Sequence, residues 1–148
     1  MKKGKGPGLS LKTTTALIII IFILGAGAAA WYYALYKVVD MHIFDIEILV
    51  SEDRMLGFNA DPTLHFGKIP MTGGLGKKYM NIHNDWDIPL LLNIRIRGDA
   101  AQFISVDDNN FILQPDEYRK ITFYARIPDN FNHTGNFTGE AKVTYFRP

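Results

Sequence analysis

The 148-residue chain contains no cysteine. Disulfide bridges, thiol catalysis and cysteine-based zinc sites are therefore excluded, and a packed hydrophobic core must stabilise the folded part of the chain. Serine is scarce as well, because only Ser10, Ser51 and Ser105 occur. None of the three lies in a G-x-S-x-G motif or beside a suitable base. Since no catalytic constellation is present, we expect that the protein is not an enzyme.

Most of the chain also lacks clusters of basic residues. Four of the sixteen lysines and arginines lie within the first twelve positions, and no acidic residue accompanies them. The remaining twelve basic residues face fifteen acidic residues, which corresponds to a net charge of about −3. Binding of nucleic acid requires lysines and arginines gathered on one face. The charge pattern therefore predicts no nucleic-acid partner.

One long apolar run stands out against this background. Residues 16–36 contain no charged side chain, and about 20 residues suffice to cross a hydrocarbon core of about 30 Å. The lysines before the run predict a cytoplasmic N-terminus. We therefore predict a basic cytoplasmic tail at 1–15, a transmembrane helix in the lipid bilayer at 16–36 and an extracytoplasmic domain at 37–148.

The apolar run has two interpretations. The alanines at 28–30 fit the cleavage site of a secretory signal peptide. An uncleaved signal anchor is favoured, because the aromatic residues from Trp31 to Tyr36 follow directly, and such rings collect at the membrane–water boundary. A mature protein that begins at Trp31 would contradict the anchor.

Beyond the apolar run, apolar residues recur with a period of two, which is typical of β-strands with one buried face. Clear alternation occurs at 46–50, 92–97, 121–127 and 141–145, and shorter candidates lie at 64–69, 78–83, 103–106 and 111–113. Turn-forming glycine, asparagine, aspartate and proline residues separate these segments. Seven or eight short strands of this kind predict an all-β domain, an antiparallel β-sandwich.

Three segments of this domain carry a family resemblance. They are TLHFGKIP at 63–70 with KKYMNIHN at 77–84, FILQPDE at 111–117, and Ile127-Pro128 followed by Gly135 and Gly139. Together they resemble immunoglobulin-like domains of the major-sperm-protein and ASPM–SPD-2–Hydin type, with Asp116 where glycine is usual. The resemblance implies an immunoglobulin-like β-sandwich with a closing hairpin after Pro128. It also implies a single-anchor archaeal surface protein whose domain binds or spaces other proteins.

The glycine-rich segment at 73–78 is superficially similar to a phosphate-binding loop. Such a loop needs an earlier glycine, a serine or threonine after the lysine and a following helix. Position 71 is methionine, position 78 is lysine, and strand-like alternation follows. We therefore expect a hairpin turn at Gly73-Gly74.

Metal-ligating side chains are present without a metal-binding pattern. The four histidines are His42, His65, His83 and His133, and none is paired at a ligand spacing. His65 and His83 would meet if their strands were neighbours. The acidic loops at 84–87 and 107–110 offer oxygen ligands but do not match an EF-hand. We interpret them as solvated turns with side-chain-to-backbone hydrogen bonds, and we predict no metal or cofactor.

Two N-glycosylation sequons lie close together. Asn132-His133-Thr134 and Asn136-Phe137-Thr138 both match N-x-[ST]. In one exposed loop outside the cell they would suit a glycoprotein. The alternative is that asparagine and threonine only build the turn, and the sequence leaves both interpretations open.

The combined pattern predicts a membrane-anchored extracytoplasmic structural or protein-interaction domain at the cell surface. Its partners would be other envelope proteins or a second copy of the chain, contacted through sheet edges or loops. A pilin- or archaellin-like filament subunit is an alternative, although Lys12 separates Lys5-Gly6 from the apolar run. A ligand- or glycan-binding module is another, in which Trp86, Tyr124 and Phe146 would stack on sugars.

Overall fold

The computed structural model describes residues 10–52 and 63–148. The chain divides into two compact units, Met1–Lys37 and Val38–Pro148. Helix α1 (Leu11–Tyr32) forms the first unit together with a π-helical turn (Tyr33–Lys37). The second unit is a β domain that begins with the next residue of the chain.

Helix α1 is exposed along its whole length and apolar on all sides. Ser10 caps its N-terminus, since the Ser10 hydroxyl accepts a hydrogen bond from the Thr13 amide at 3.3 Å. The helix therefore begins before the predicted start at residue 16. The helical segment Leu11–Lys37 is long and apolar enough to cross a membrane.

The β domain contains eight strands, in agreement with the predicted mostly-β fold. They are β1 (Val38–Ser51), β2 (Leu64–Pro70), β3 (Leu75–His83), β4 (Leu90–Gly98), β5 (Ile104–Val106), β6 (Phe111–Leu113), β7 (Tyr118–Arg126) and β8 (Gly135–Phe146). A 3₁₀ turn at Asp99–Phe103 precedes β5. The long strand β1 extends well before the predicted segment at 46–50.

The strands form two sheets. The five-stranded sheet has the order β2-β1-β8-β4-β6, and the three-stranded sheet has the order β3-β7-β5. The prediction of purely antiparallel pairing is wrong for β1 and β2, which are parallel. Parallel neighbours need a crossover of about a dozen residues, and the chain between Ser51 and Leu64 supplies that length.

The turn at Gly73-Gly74 is not the hairpin that the sequence predicts. It connects β2 of the five-stranded sheet to β3 of the three-stranded sheet. Gly73 has φ +64°, and a Cβ on Gly74 would lie 2.3 Å from the carbonyl oxygen of Pro70. The two glycines therefore let the chain leave one sheet sharply and enter the other. The expected closing hairpin is wrong for the same reason, because β7 and β8 also lie in different sheets.

Inward-facing residues of both sheets build one hydrophobic core. Ile46 and Ile48 of β1 and Val143 of β8 contribute from the five-stranded sheet, and Ile121 and Phe123 of β7 contribute from the three-stranded sheet. All five are at most 1% exposed. Full burial of such a side chain contributes about 1.5–3 kcal/mol. The alternation that buries these residues leaves the intervening side chains on the outer faces of the sheets.

Candidate functional site

The histidines that could have ligated a metal are separated by the fold. His65 lies on β2 and His83 on β3, in different sheets, so the two do not meet on adjacent strands. His83 Nδ1 lies 2.5 Å from the Asp85 carboxylate, and His83 Nε2 lies 3.1 Å from that of Asp116. Because the two carboxylates contact opposite sides of one ring, their oxygens do not converge on a common point. The described residues contain no group of three or more side chains suited to hold a metal ion.

Asp116 occupies a left-handed backbone position. Its φ is +61°, and the amide of Glu117 donates to the carbonyl of Gln114 at 3.1 Å across the turn. Glycine is favoured at such a position, and aspartate tolerates it better than most residues. Asp116 therefore occupies a backbone conformation that glycine would adopt without strain.

The acidic loop after β5 bonds to neighbouring strands. Asp107 Oδ1 accepts from the Thr122 amide at 2.9 Å, and the Asn109 side chain bonds both the N–H and the C=O of Ile94, at 2.7 and 2.8 Å. Burial of Asp107 pushes its pKa up, but the hydrogen bonds from Thr122 outweigh this effect and the pKa lies below its ordinary value. The loop therefore ties β5 to β7 and β4.

Titratable side chains also gather where β1 begins. His42 Nε2 lies 3.1 Å from the Asp40 carboxylate, and the His42 ring meets the Tyr145 ring edge-on at 6.0 Å. Burial raises the pKa of Tyr145, and the negative charges of Asp40 and Asp85 raise it further. Both effects favour the neutral, protonated form of Tyr145 over the phenolate.

The two predicted glycosylation residues lie in different settings. Asn132 is exposed in the connection between β7 and β8. Asn136 lies inside β8, where its Nδ2 donates to Glu47 Oε1 at 2.7 Å. The two sequons therefore do not share one loop, and only Asn132 sits outside a strand.

The aromatic residues proposed for sugar stacking do not form one surface. Trp86 is 47% exposed in the loop after β3, Tyr124 belongs to the three-stranded sheet, and Phe146 belongs to the five-stranded sheet. These three rings therefore do not form a shared binding surface for a single ligand.

A different aromatic surface lies on the outer face of the three-stranded sheet. Alternate residues of β3 and β7 point outward there, and we call this surface the tyrosine–lysine face. Its cross-strand pairs are Leu75 with Arg126, Lys77 with Tyr124, Tyr79 with Thr122, Asn81 with Lys120, and His83 with Tyr118. Tyr79 is 57% exposed and Tyr118 is 74% exposed.

Contacts between the rings and the basic groups order this face. The Lys120 ammonium lies 3.7 Å from the ring centroid of Tyr79, and the Lys77 ammonium lies 5.3 Å from that of Tyr124. The His83 ring stacks on Tyr118 with centroids 3.7 Å apart. Cation–π attraction holds each ammonium over its ring while it stays in contact with water.

The tyrosine–lysine face is positively charged within an acidic domain. Its ten residues include Lys77, Lys120 and Arg126 and no carboxylate, whereas acidic residues outnumber basic ones after Lys37. Adjacent outward positions along a strand lie about 7 Å apart. The face therefore presents an ordered row of positive charges that attracts an anionic partner.

Strand β3 also forms a sheet edge beside this face, because β7 is the one described strand that pairs with it. It pairs with β7 over nine consecutive residue pairs without a register shift. The Gly74 carbonyl accepts a hydrogen bond from the Ile127 amide, and the Asn84 amide donates one to the Glu117 carbonyl. The residue pairs that hydrogen bonds join are therefore those that contain an even-numbered residue of β3. Because antiparallel pairs alternate, the N–H and C=O groups of the odd-numbered β3 residues point away from β7.

The other sheet edges are less open to pairing. Strands β5 and β6 have three residues each. Strand β2 ends in Pro70, contains Gly67 at φ +69° and has a register shift against β1. Short strands, proline and bulges are the devices that protect sheet edges. Among the described strands, β3 is therefore the long regular edge.

Sequence reasoning missed the tyrosine–lysine face, although its signal is present as alternation in β3 and β7. The alternation shows that Tyr79 and Lys120 each point outward, but not that their strands are neighbours. Comparison of the chain with protein-family models, curated proteins and solved structures found no match. The resemblance to immunoglobulin-like domains therefore stays a prediction.

Proposed function

We propose that the protein is a single-pass membrane protein whose N-terminus is cytoplasmic. Its extracytoplasmic β domain, an immunoglobulin-like sandwich, binds another component of the cell envelope. The apolar helix and the lysines before it support the anchor and its orientation.

The tyrosine–lysine face carries this proposal. Tyrosine and arginine are enriched at protein interfaces, because they combine a large contact area with polar groups. The nine paired residues of β3 and β7 span about 30 Å, and the face on these two strands covers about 300 Å². One partner in a typical interface buries about 800 Å². The binding surface must therefore extend beyond the face, and the edge of β3 lies directly beside it.

Photo-crosslinking in native membranes tests the binding surface. A benzoylphenylalanine replaces Tyr118 on the face, and a control replaces Ile112, which is 47% exposed on β6 of the other sheet. We expect an adduct from position 118 and little from position 112. Adducts of equal yield from both positions, or from position 112 alone, would contradict the proposed surface.

The proposed orientation has a separate test. Since the chain has no cysteine, a Tyr118→Cys variant carries a single thiol. We expect a membrane-impermeant maleimide to label it in intact cells without lysis. Labelling that requires lysis would place the domain in the cytoplasm.

A further inference from the structure

We propose that the β3 edge takes up an extended acidic segment of the partner as a fourth strand of the three-stranded sheet. This inference rests on the proposed function and names the chemistry of the partner. The backbone groups of the edge, the charges beside it and the contacts of the aromatic rings support it.

The backbone of β3 matches an incoming strand. The odd-numbered residues from Leu75 to His83 have N–H and C=O groups directed away from β7, while their side chains lie on the tyrosine–lysine face. A strand that bonds these groups pairs with the same residues. Its alternate side chains therefore extend the face, and main-chain hydrogen bonds supply the affinity.

The charges on the edge select an acidic strand. Lys77 is exposed near the middle of the edge, and an acidic residue directly across from it is stabilised. The Lys120 ammonium is held over Tyr79, which is the next outward residue of β3 after Lys77, and adjacent outward positions of a strand lie about 7 Å apart. Acidic residues at alternate positions of an extended peptide have the same spacing, so two of them match these two ammonium groups.

The same charges disfavour a second copy of this chain. Strand β3 carries Lys77 and Lys78 and no carboxylate. Two β3 edges that paired with each other would therefore bring four positive charges together without a partner of opposite sign, which is destabilising. Basic residues of this kind are known to protect edge strands from self-association. Pairing of the β3 edge with a second β3 edge is therefore disfavoured, and pairing with an acidic strand is favoured.

A polysaccharide fits these features less well. Lysine ammonium groups lie over the rings of Tyr79 and Tyr124, and His83 covers one side of Tyr118. One face of each ring is therefore already occupied, which leaves a sugar at most the other face for stacking. A sugar chain also lacks the regular backbone N–H and C=O groups that the β3 edge complements.

Peptide binding to the full-length chain in lipid nanodiscs tests the inference. The probe is a nine-residue fluorescein-labelled peptide that alternates threonine and glutamate, and the matched control alternates threonine and lysine. We expect fluorescence anisotropy to show binding of the glutamate peptide and none of the lysine peptide. Lys77→Glu should weaken binding about fivefold, because an attractive cross-strand pair becomes a repulsive one.

Tyr79→Pro separates strand addition from simple charge attraction. The Tyr79 N–H points away from β7, so proline removes a bond to the added strand and none from the existing ladder. We expect at least a tenfold loss of affinity while the melting temperature stays close to that of the native chain. Arg95→Glu, an exposed charge reversal on β4, is the control and should leave binding unchanged.

Three results would overturn the inference. They are failure of the glutamate peptide to bind, equal binding of the lysine peptide, and undiminished binding by a folded Tyr79→Pro variant. Undiminished binding of the glutamate peptide by Tyr79→Pro, together with sensitivity to Lys77→Glu, would identify the face as a polyanion surface without an added strand. Crosslinks from position 118 that persist in a Tyr79→Pro background would refute the strand and leave the proposed function standing.

Discussion

Truncation of Asn84 should strongly destabilise the β domain. Asn84 is 1% exposed, at the end of β3. Its Nδ2 donates to the carbonyls of Ile88 at 2.9 Å and Leu113 at 3.1 Å, and its Oδ1 accepts from the Trp86 amide at 3.1 Å. One side chain thus joins the loop after β3 to the end of β6.

The cost of Asn84→Ala depends on which partners water can reach. Leu113 is fully buried, so its carbonyl loses a partner that water cannot replace, at about 1–3 kcal/mol. Ile88 and Trp86 are 36% and 47% exposed, and each of those lost bonds costs about 0.5–1.5 kcal/mol. The free energy of unfolding should therefore fall by about 2–6 kcal/mol, which lowers the melting temperature by roughly 8–24 °C at about 4 °C per kcal/mol.

Thermal and urea unfolding of the full-length chain in detergent measure this loss. Asn81→Ala, which truncates an exposed asparagine on the same strand, is the control and should change stability by less than about 0.5 kcal/mol. Asn84→Asp should be most damaging at neutral pH, because a carboxylate oxygen would then face two carbonyl oxygens. If Asn84→Ala lowers the free energy of unfolding no more than Asn81→Ala does, the three hydrogen bonds of Asn84 contribute little to the stability of the fold.

Three other perturbations have defined outcomes. Because the pKa of Asp107 is lowered in the folded chain, its bonds to Thr122 stabilise the fold above the unfolded-state pKa of about 4 and are lost as the pH falls through the folded-state pKa. The melting temperature of Asp107→Asn should therefore fall less steeply with acid than that of the native chain. Equal slopes would contradict this. Asp116→Val should lower the free energy of unfolding in urea by about 1–2 kcal/mol, because a β-branched residue is strained at φ +61°. An unchanged urea midpoint would show that this strain does not affect stability. Gly139→Ala places a Cβ 2.4 Å from the Arg97 carbonyl oxygen, so a loss of about 1–3 kcal/mol is expected, and native stability would show that β4 and β8 separate easily.

Local sequence patterns were sufficient to predict the N-terminal helix and the presence of strands in the β domain. An uncharged run predicts a helix, and period-two alternation predicts strands, because each depends on residues only a few positions apart. Alternation also identifies the buried set, as it does for Ile121 and Phe123 of β7. The sequence also shows Asp116 where the resembled motif usually has glycine, and Asp116 has a positive φ in the structure.

Strand neighbours, in contrast, were decided by the tertiary structure. Alternation assigns a side chain to a face but carries no information about which strand lies alongside, since that depends on burying one shared core between distant segments. The parallel pairing of β1 with β2, the crossing at Gly73-Gly74 and the separation of His65 from His83 all follow from that packing. The same packing brings β3 beside β7, and it alone creates the tyrosine–lysine face and the sheet edge next to it.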